Sequence, residues 1–156
     1  WSGNRGATGL DILMRKYTEN GLLYDGASAS PAFGTVGELI VSGLDQPQGD
    51  PVLALDGAGS LFVSFFSVGG SNQVLLKRFD SNGASVSSFG TNGVVSVVSG
   101  SNAVHHTSLA LDGSGNIYVT WLHENTFALA VKKYTNQGLS IVSFGSNGML
   151  SVTTAT

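Results

Sequence analysis

The sequence contains no cysteine, which removes disulfides and thiolate metal sites from consideration and leaves no mark of a redox compartment. Charge is scarce as well. Asp, Glu, Lys and Arg together make up 11% of the 156 residues, against about a quarter in an ordinary soluble domain. The net charge is −3 and no basic run occurs, so there is no electrostatic footprint for nucleic acid or for an anionic membrane, and both are excluded as main partners. No apolar stretch reaches the roughly 18 residues of a spanning helix, so no membrane insertion is expected. The chain opens on Trp1 rather than Met and carries no signal peptide. The expectation is therefore that something upstream has been removed or left out, and that the chain as it stands is soluble.

What is present is apolar and small. Apolar residues reach 42%, aromatics 9%, and glycine occurs 22 times. That is enough for a sizeable core in one domain, under a surface that must be polar but mostly uncharged. Few lysines, no cysteine and abundant Ser, Thr, Gly and Asn resemble the composition of exported bacterial surface proteins.

An internal repeat dominates the chain. Ala54-Leu55-Asp56-Gly57-Ala58-Gly59-Ser60-Leu61-Phe62-Val63 returns as Ala110-Leu111-Asp112-Gly113-Ser114-Gly115-Asn116-Ile117-Tyr118-Val119. Lys77-Arg78-Phe79 returns as Lys132-Lys133-Tyr134, and Ser88-Phe89-Gly90-Thr91-Asn92-Gly93 returns as Ser143-Phe144-Gly145-Ser146-Asn147-Gly148. The period is about 55 residues. A third copy opens the chain with Arg15-Lys16-Tyr17 and Ala32-Phe33-Gly34-Thr35-Val36-Gly37, separated by an insert around Asp25 to Pro31.

Each full copy reads as four strands: Pro51 to Asp56, Ser60 to Ser67, Gln73 to Asp80 and Val94 to Val98, then Thr107 to Asp112, Asn116 to Leu122, Phe127 to Tyr134 and Met149 to Thr153. The Asp56 and Asp112 turns supply glycines for positive φ and a carboxylate for the turn's own amides. No helix is predicted. Several strands are apolar on both faces, as in Leu61-Phe62-Val63 and Val94-Val95, which requires cover on both sides. Repeated four-stranded antiparallel sheets buried on both faces point to an all-β fold of β-propeller blades, with a β-sandwich as the alternative. The chain holds about 2.75 blades: an incomplete blade one over 1–43, blade two over 44–99 and blade three over 100–156. It forms one partial domain that cannot close alone. It is expected either to be a fragment of a longer propeller or to self-associate as a homo-oligomer.

The D-G-x-G-x-aromatic-V turn, the basic pair with its aromatic and the S-F-G-x-N-G block together resemble the delta-60 repeat. The first half also resembles the related bacterial seven-bladed propeller repeat. The resemblance implies a propeller in a secreted or bacterial cell-surface protein, with no uniform catalytic residues to carry over. Copy one departs from it at Ala32, at Val36 and by its insert.

Six of the seven Lys and Arg residues fall in pairs at one repeat position. Adjacent strand residues point to opposite faces, so each pair is expected to send one charge each way, with Asp56 and Asp112 as structural ion-pair partners.

Residues the repeat does not explain are the binding candidates: Trp1, Arg5, Asp50, His105, Trp121, His123, Glu124 and Asn125, with Asn4, Asp45, Gln46, Gln48, Asn72, Asn102 and His106 near them. Loops at one end of such sheets would carry them all. Trp121 aligns with Phe65 and can equally pack between blades. Two adjacent histidines on a strand point apart and match no zinc spacing, and the Asp112 turn lacks the acidic density of a calcium loop, so neither a metal nor a cofactor is expected. The favoured function is an extracellular recognition or adhesion module for a glycan or cell-surface ligand, without enzymatic activity. A structural assembly module is the alternative. A glycan-active enzyme comes third, because few carboxylates remain for the required pair.

Overall fold

The computed structural model describes residues 2–3, 11–42, 46–100 and 104–152. It is all-β, with no helix among the described residues. The eleven strands are β1 (Ser2–Gly3), β2 (Asp11–Arg15), β3 (Glu38–Ser42), β4 (Gln48–Leu55), β5 (Leu61–Ser67), β6 (Asn72–Phe79), β7 (Val94–Gly100), β8 (Val104–Leu111), β9 (Ile117–His123), β10 (Ala128–Tyr134) and β11 (Met149–Val152). They form three antiparallel sheets ordered β1-β2-β3, β4-β5-β6-β7 and β8-β9-β10-β11, none of which closes on itself. Each four-stranded sheet is a meander in sequence order. Strands β4 and β8 begin at Gln48 and Val104, earlier than the expected Pro51 and Thr107, because a bulge in each breaks the two-residue alternation.

The turns are built by side chains that hold their own backbone. Asp56 Oδ1 accepts from the amides of Ala58 and Ser60 at 2.9 and 2.8 Å, and Asp112 Oδ1 accepts from Ser114 and Asn116 at 3.0 and 2.9 Å. Asp80 repeats the device between β6 and β7. In the insert of copy one, Asp25 takes the amides of Ala27 and Ser28. Each ties a loop down locally at little cost in backbone entropy.

The core lies between sheets. One face of the second sheet, with Leu61, Val63, Phe65, Leu75 and Phe79, packs on Ile12, Phe33 and Val41 of the first. Its other face, with Phe62, Val74, Leu76, Phe89, Val95 and Val97, packs on Val104, Ile117, Val119, Trp121, Ala130 and Tyr134. This is why β5 is apolar on both sides.

The two junctions are closed by the same contacts. The Phe33 ring lies 3.0 Å from where a Cβ on Gly83 would stand, and Phe89 lies 3.1 Å from the corresponding point on Gly138; with φ of 85° and 80°, both turns favour glycine. Gly34 N donates to the Asn82 carbonyl and Gly90 N to the Gln137 carbonyl, each at 2.9 Å. The basic pairs work in both directions. Lys77 Nζ reaches back to the Val41 carbonyl at 2.6 Å and Lys132 Nζ to the Val97 carbonyl at 2.7 Å. Val41 and Val97 are each skipped by the pairing register of their strands. A skipped residue leaves its backbone outside the ladder, so the lysine satisfies a carbonyl the sheet cannot. Burial lowers the pKa of both lysines. Forward, Lys16 Nζ donates to the Ser81 carbonyl and Arg78 Nη1 to that of Asn136, each at 3.1 Å.

The expected ion pairs also form. Arg78 lies 3.9 Å from Asp56 and Lys133 lies 3.3 Å from Asp112. Hydrogen bonds from the Asn116 side chain and backbone, then from Ser114 and Lys133, hold the Asp112 carboxyl far below the usual carboxylate range against a desolvation that opposes them.

Two outcomes follow from these contacts. Phe89→Ala, which opens a buried junction, is expected to cost about 3–5 kcal/mol in urea unfolding, and Phe144→Ala, at the uncovered third copy, well under half of that. For Asp112, the depressed folded pKa means its contribution is complete above the unfolded value of about 3.9 and is lost as pH falls through the folded one. Thermal melts from pH 7 to pH 2 should therefore show a smaller acid-induced fall for Asp112→Asn than for the unaltered chain.

Candidate functional site

The described candidates gather at one end of the second and third sheets, where β4 and β8 begin and β5 and β9 end. At that end both first strands carry the bulge already noted, and the residues in it are Asp50 and His106, with φ of 47° and 53°. Non-glycine residues are costly there, and their repetition at the same place in two sheets marks a feature of the design rather than an accident. His106 N donates to Asp50 Oδ2 at 3.1 Å, and Thr107 Oγ1 donates to the Asp50 carbonyl at 2.8 Å. The bulge of one sheet is thus pinned to the bulge of the next.

Around this seam stand two imidazole–carboxylate pairs. His105 Nε2 is 3.5 Å from Glu124 Oε1, and His106 Nδ1 is 4.0 Å from Asp50 Oδ2. The Phe66 ring from the end of β5 lies 4.7 Å from the His105 ring, and it packs so close to Gly49 that an added Cβ would stand 2.7 Å from it. Glu124 and Asn125 sit in the exposed turn from β9 to β10, where the Thr126 amide donates to the His123 carbonyl. Phe127 closes that turn with φ of 52° and 77% of its surface exposed.

Trp121 does not belong to this exposed group. It is wholly buried in the core between the second and third sheets, so its ring has no face open to a ligand. It occupies the same repeat position as Phe65, also wholly buried, and the requirement for an aromatic there is one of packing. Its Nε1 donates to His123 Nε2 at 3.0 Å. His123 is thereby fixed by the core, and its Nδ1 is buried without a partner among the described residues. Trp1, Asn4, Arg5, Asp45 and Asn102 lie outside the described residues. Gln48 is buried at the start of β4, and Asn72 begins β6.

Sequence reasoning missed Phe66 and Phe127. Phe66 was hidden in a strand whose every residue looked like core, and Phe127 passed for the first residue of β10. Among the described residues no three His, Asp or Glu side chains gather as they would to hold a metal ion, and no helix is long and apolar enough to cross a membrane. The exposed group offers carboxylate acceptors, imidazoles that can donate or accept, and apolar ring surface.

Comparison with family models, curated proteins and solved structures finds no match to this chain. The side chains are therefore the whole basis for reading the site.

The separation of core from surface is directly measurable. Trp121→Ala should cost about 3–5 kcal/mol in denaturant unfolding, whereas Phe127→Ala should change stability by no more than about 0.5 kcal/mol.

Proposed function

We propose that the chain is a run of β-propeller blades, of the kind its delta-60-like repeat implies, whose loop-bearing end recognises a glycan or similar polar ligand on a cell surface without transforming it. The observation that carries this reading is the seam between the second and third blades. There Glu124, His105, Asp50 and His106 present two carboxylates and two imidazoles across one junction, with the exposed Phe127 on the Glu124 turn. Sugars are bound by this kind of set, because carboxylates and imidazoles take paired hydroxyls while an aromatic ring covers C–H surface. Rigid support suits the role as well, since the strained residues are held by the next sheet rather than left in a free loop. In this reading the protein works outside the cell or on a bacterial surface, needs no cofactor, and uses its blades as a scaffold.

A structural assembly role is the second reading. It is favoured by the junction contacts, which absorb four of the seven basic residues and two of the three Phe-Gly blocks without any reference to a ligand.

A glycan array followed by calorimetry on the best hit tests the first reading. Glu124→Gln and Phe127→Ala should each weaken binding by about tenfold or more, equivalent to ~1.4 kcal/mol, with the thermal midpoint unchanged. An array that stays silent, or a hit indifferent to both substitutions, would remove the glycan reading and leave the structural one.

A further inference from the structure

The two junctions inside the chain reveal what a blade face of this kind takes as its partner, because each face is seen covered and its repeat equivalents are seen bare. On the forward face of the second sheet, Val74, Val95 and Val97 are 0%, 8% and 0% exposed. The residues at the same repeat positions in the third sheet, Leu129, Leu150 and Val152, are 40%, 45% and 57% exposed. On the rear side the contrast runs through one aromatic: Phe79 and Tyr134 are buried, whereas Tyr17, at the same place in the first sheet, is half exposed. One end of the chain thus carries a bare forward face and the other a bare rear face.

The polar parts of the junction are divided in the same way. Phe33 and Phe89 each sit against the turn glycine of the following sheet, Gly83 and Gly138. Phe144 is the third such ring, and Gly21 is the third such glycine, with nothing within 4 Å of a Cβ built on it. Gly34 N and Gly90 N each donate to the carbonyl just before that glycine, from Asn82 and Gln137. Gly145 is the third donor, and Asn20 is the third residue at the acceptor position. Lys16 and Arg78 each cap the carbonyl one residue earlier, from Ser81 and Asn136. Lys133 is the third cation, and the residue it would meet is Glu19, which adds opposite charge where the internal junctions have Ser and Asn.

We propose that a second copy of this chain docks head to tail, the first sheet of one copy covering the third sheet of the other through a third instance of the junction seen twice within the chain. Phe144 seats on the partner's Gly21 turn, and Lys133 meets the partner's Glu19. The contact joins two different surfaces, so it repeats until it closes. With three sheets per copy, two copies bring six sheets together, within the roughly four to eight that closed rings of such sheets use. A closed pair has two such junctions and no bare face.

Sedimentation velocity on the purified chain at about ten micromolar tests this. The expected result is a species of twice the 16.0 kDa chain mass. Phe144→Asp blocks the forward face and Tyr17→Asp blocks the rear face, so each variant alone should sediment as a monomer. An equimolar mixture should recover the two-chain species, because one unaltered junction can still form. Where Phe144→Asp disturbs the fold, as read by far-ultraviolet circular dichroism, the exposed substitution Glu19→Lys, which sets like charge opposite the partner's Lys133, should weaken the pair with the circular dichroism unchanged. A monomeric unaltered protein overturns the proposal. So does a Phe144 variant that dissociates while the Tyr17 variant stays paired, since that pattern means the same face is used on both copies.

Discussion

The constraint on which the structure depends is that each four-stranded sheet is apolar on both faces and therefore cannot stand alone. A hairpin meander with one wet face would be stable as a single layer over a helix or a second sheet. Here Phe62 and Val63 leave opposite sides of β5, and both are buried against different neighbours. The hydrophobic term drives the sheets together but does not align them. Alignment comes from the directional contacts at each junction: the Phe-Gly turn, the amide–carbonyl bond beside it, and a basic pair that reaches one sheet backward and one forward. The buried lysine is the most telling of these, because its charge is held in a poor environment in order to satisfy a carbonyl exposed by a skip in the register.

The same bulge logic shapes the opposite end of the sheets. A bulge in the first strand turns Asp50 and His106 into left-handed conformations, and the energetic cost is borne by contacts between the sheets. The side chains released from the alternation face the seam instead of the core. Chemistry and scaffold are separated along the strand: core and junction contacts occupy its middle and one end, and variable polar residues occupy the other.

Much of this was legible from residues alone. The Asp-Gly turns, the strand count of each full copy and the ion pairs of Asp56 and Asp112 all follow from local patterns repeated at a fixed period, and local patterns are what a sequence displays. The candidate end of the sheets was legible for a different reason: it is where the copies stop resembling one another. What could not be read was depth. Trp121 differs from its counterpart Phe65 and stands beside polar neighbours, so it looks like a platform, yet it is the largest wholly buried side chain among the described residues. Phe127, which looks like the start of a strand, is the exposed ring.

The sequence by itself determined the sheets, because strand propensity, turn chemistry and the repeat period act over a few residues and need no knowledge of the neighbour. Only the tertiary structure decided which atoms meet across a junction: Lys77 with the Val41 carbonyl, Phe89 with Gly138, and His105 with Phe66. Those pairs lie from 36 to 49 residues apart in the chain, and their distance is set by how two twisted sheets stack, a quantity that no local pattern encodes.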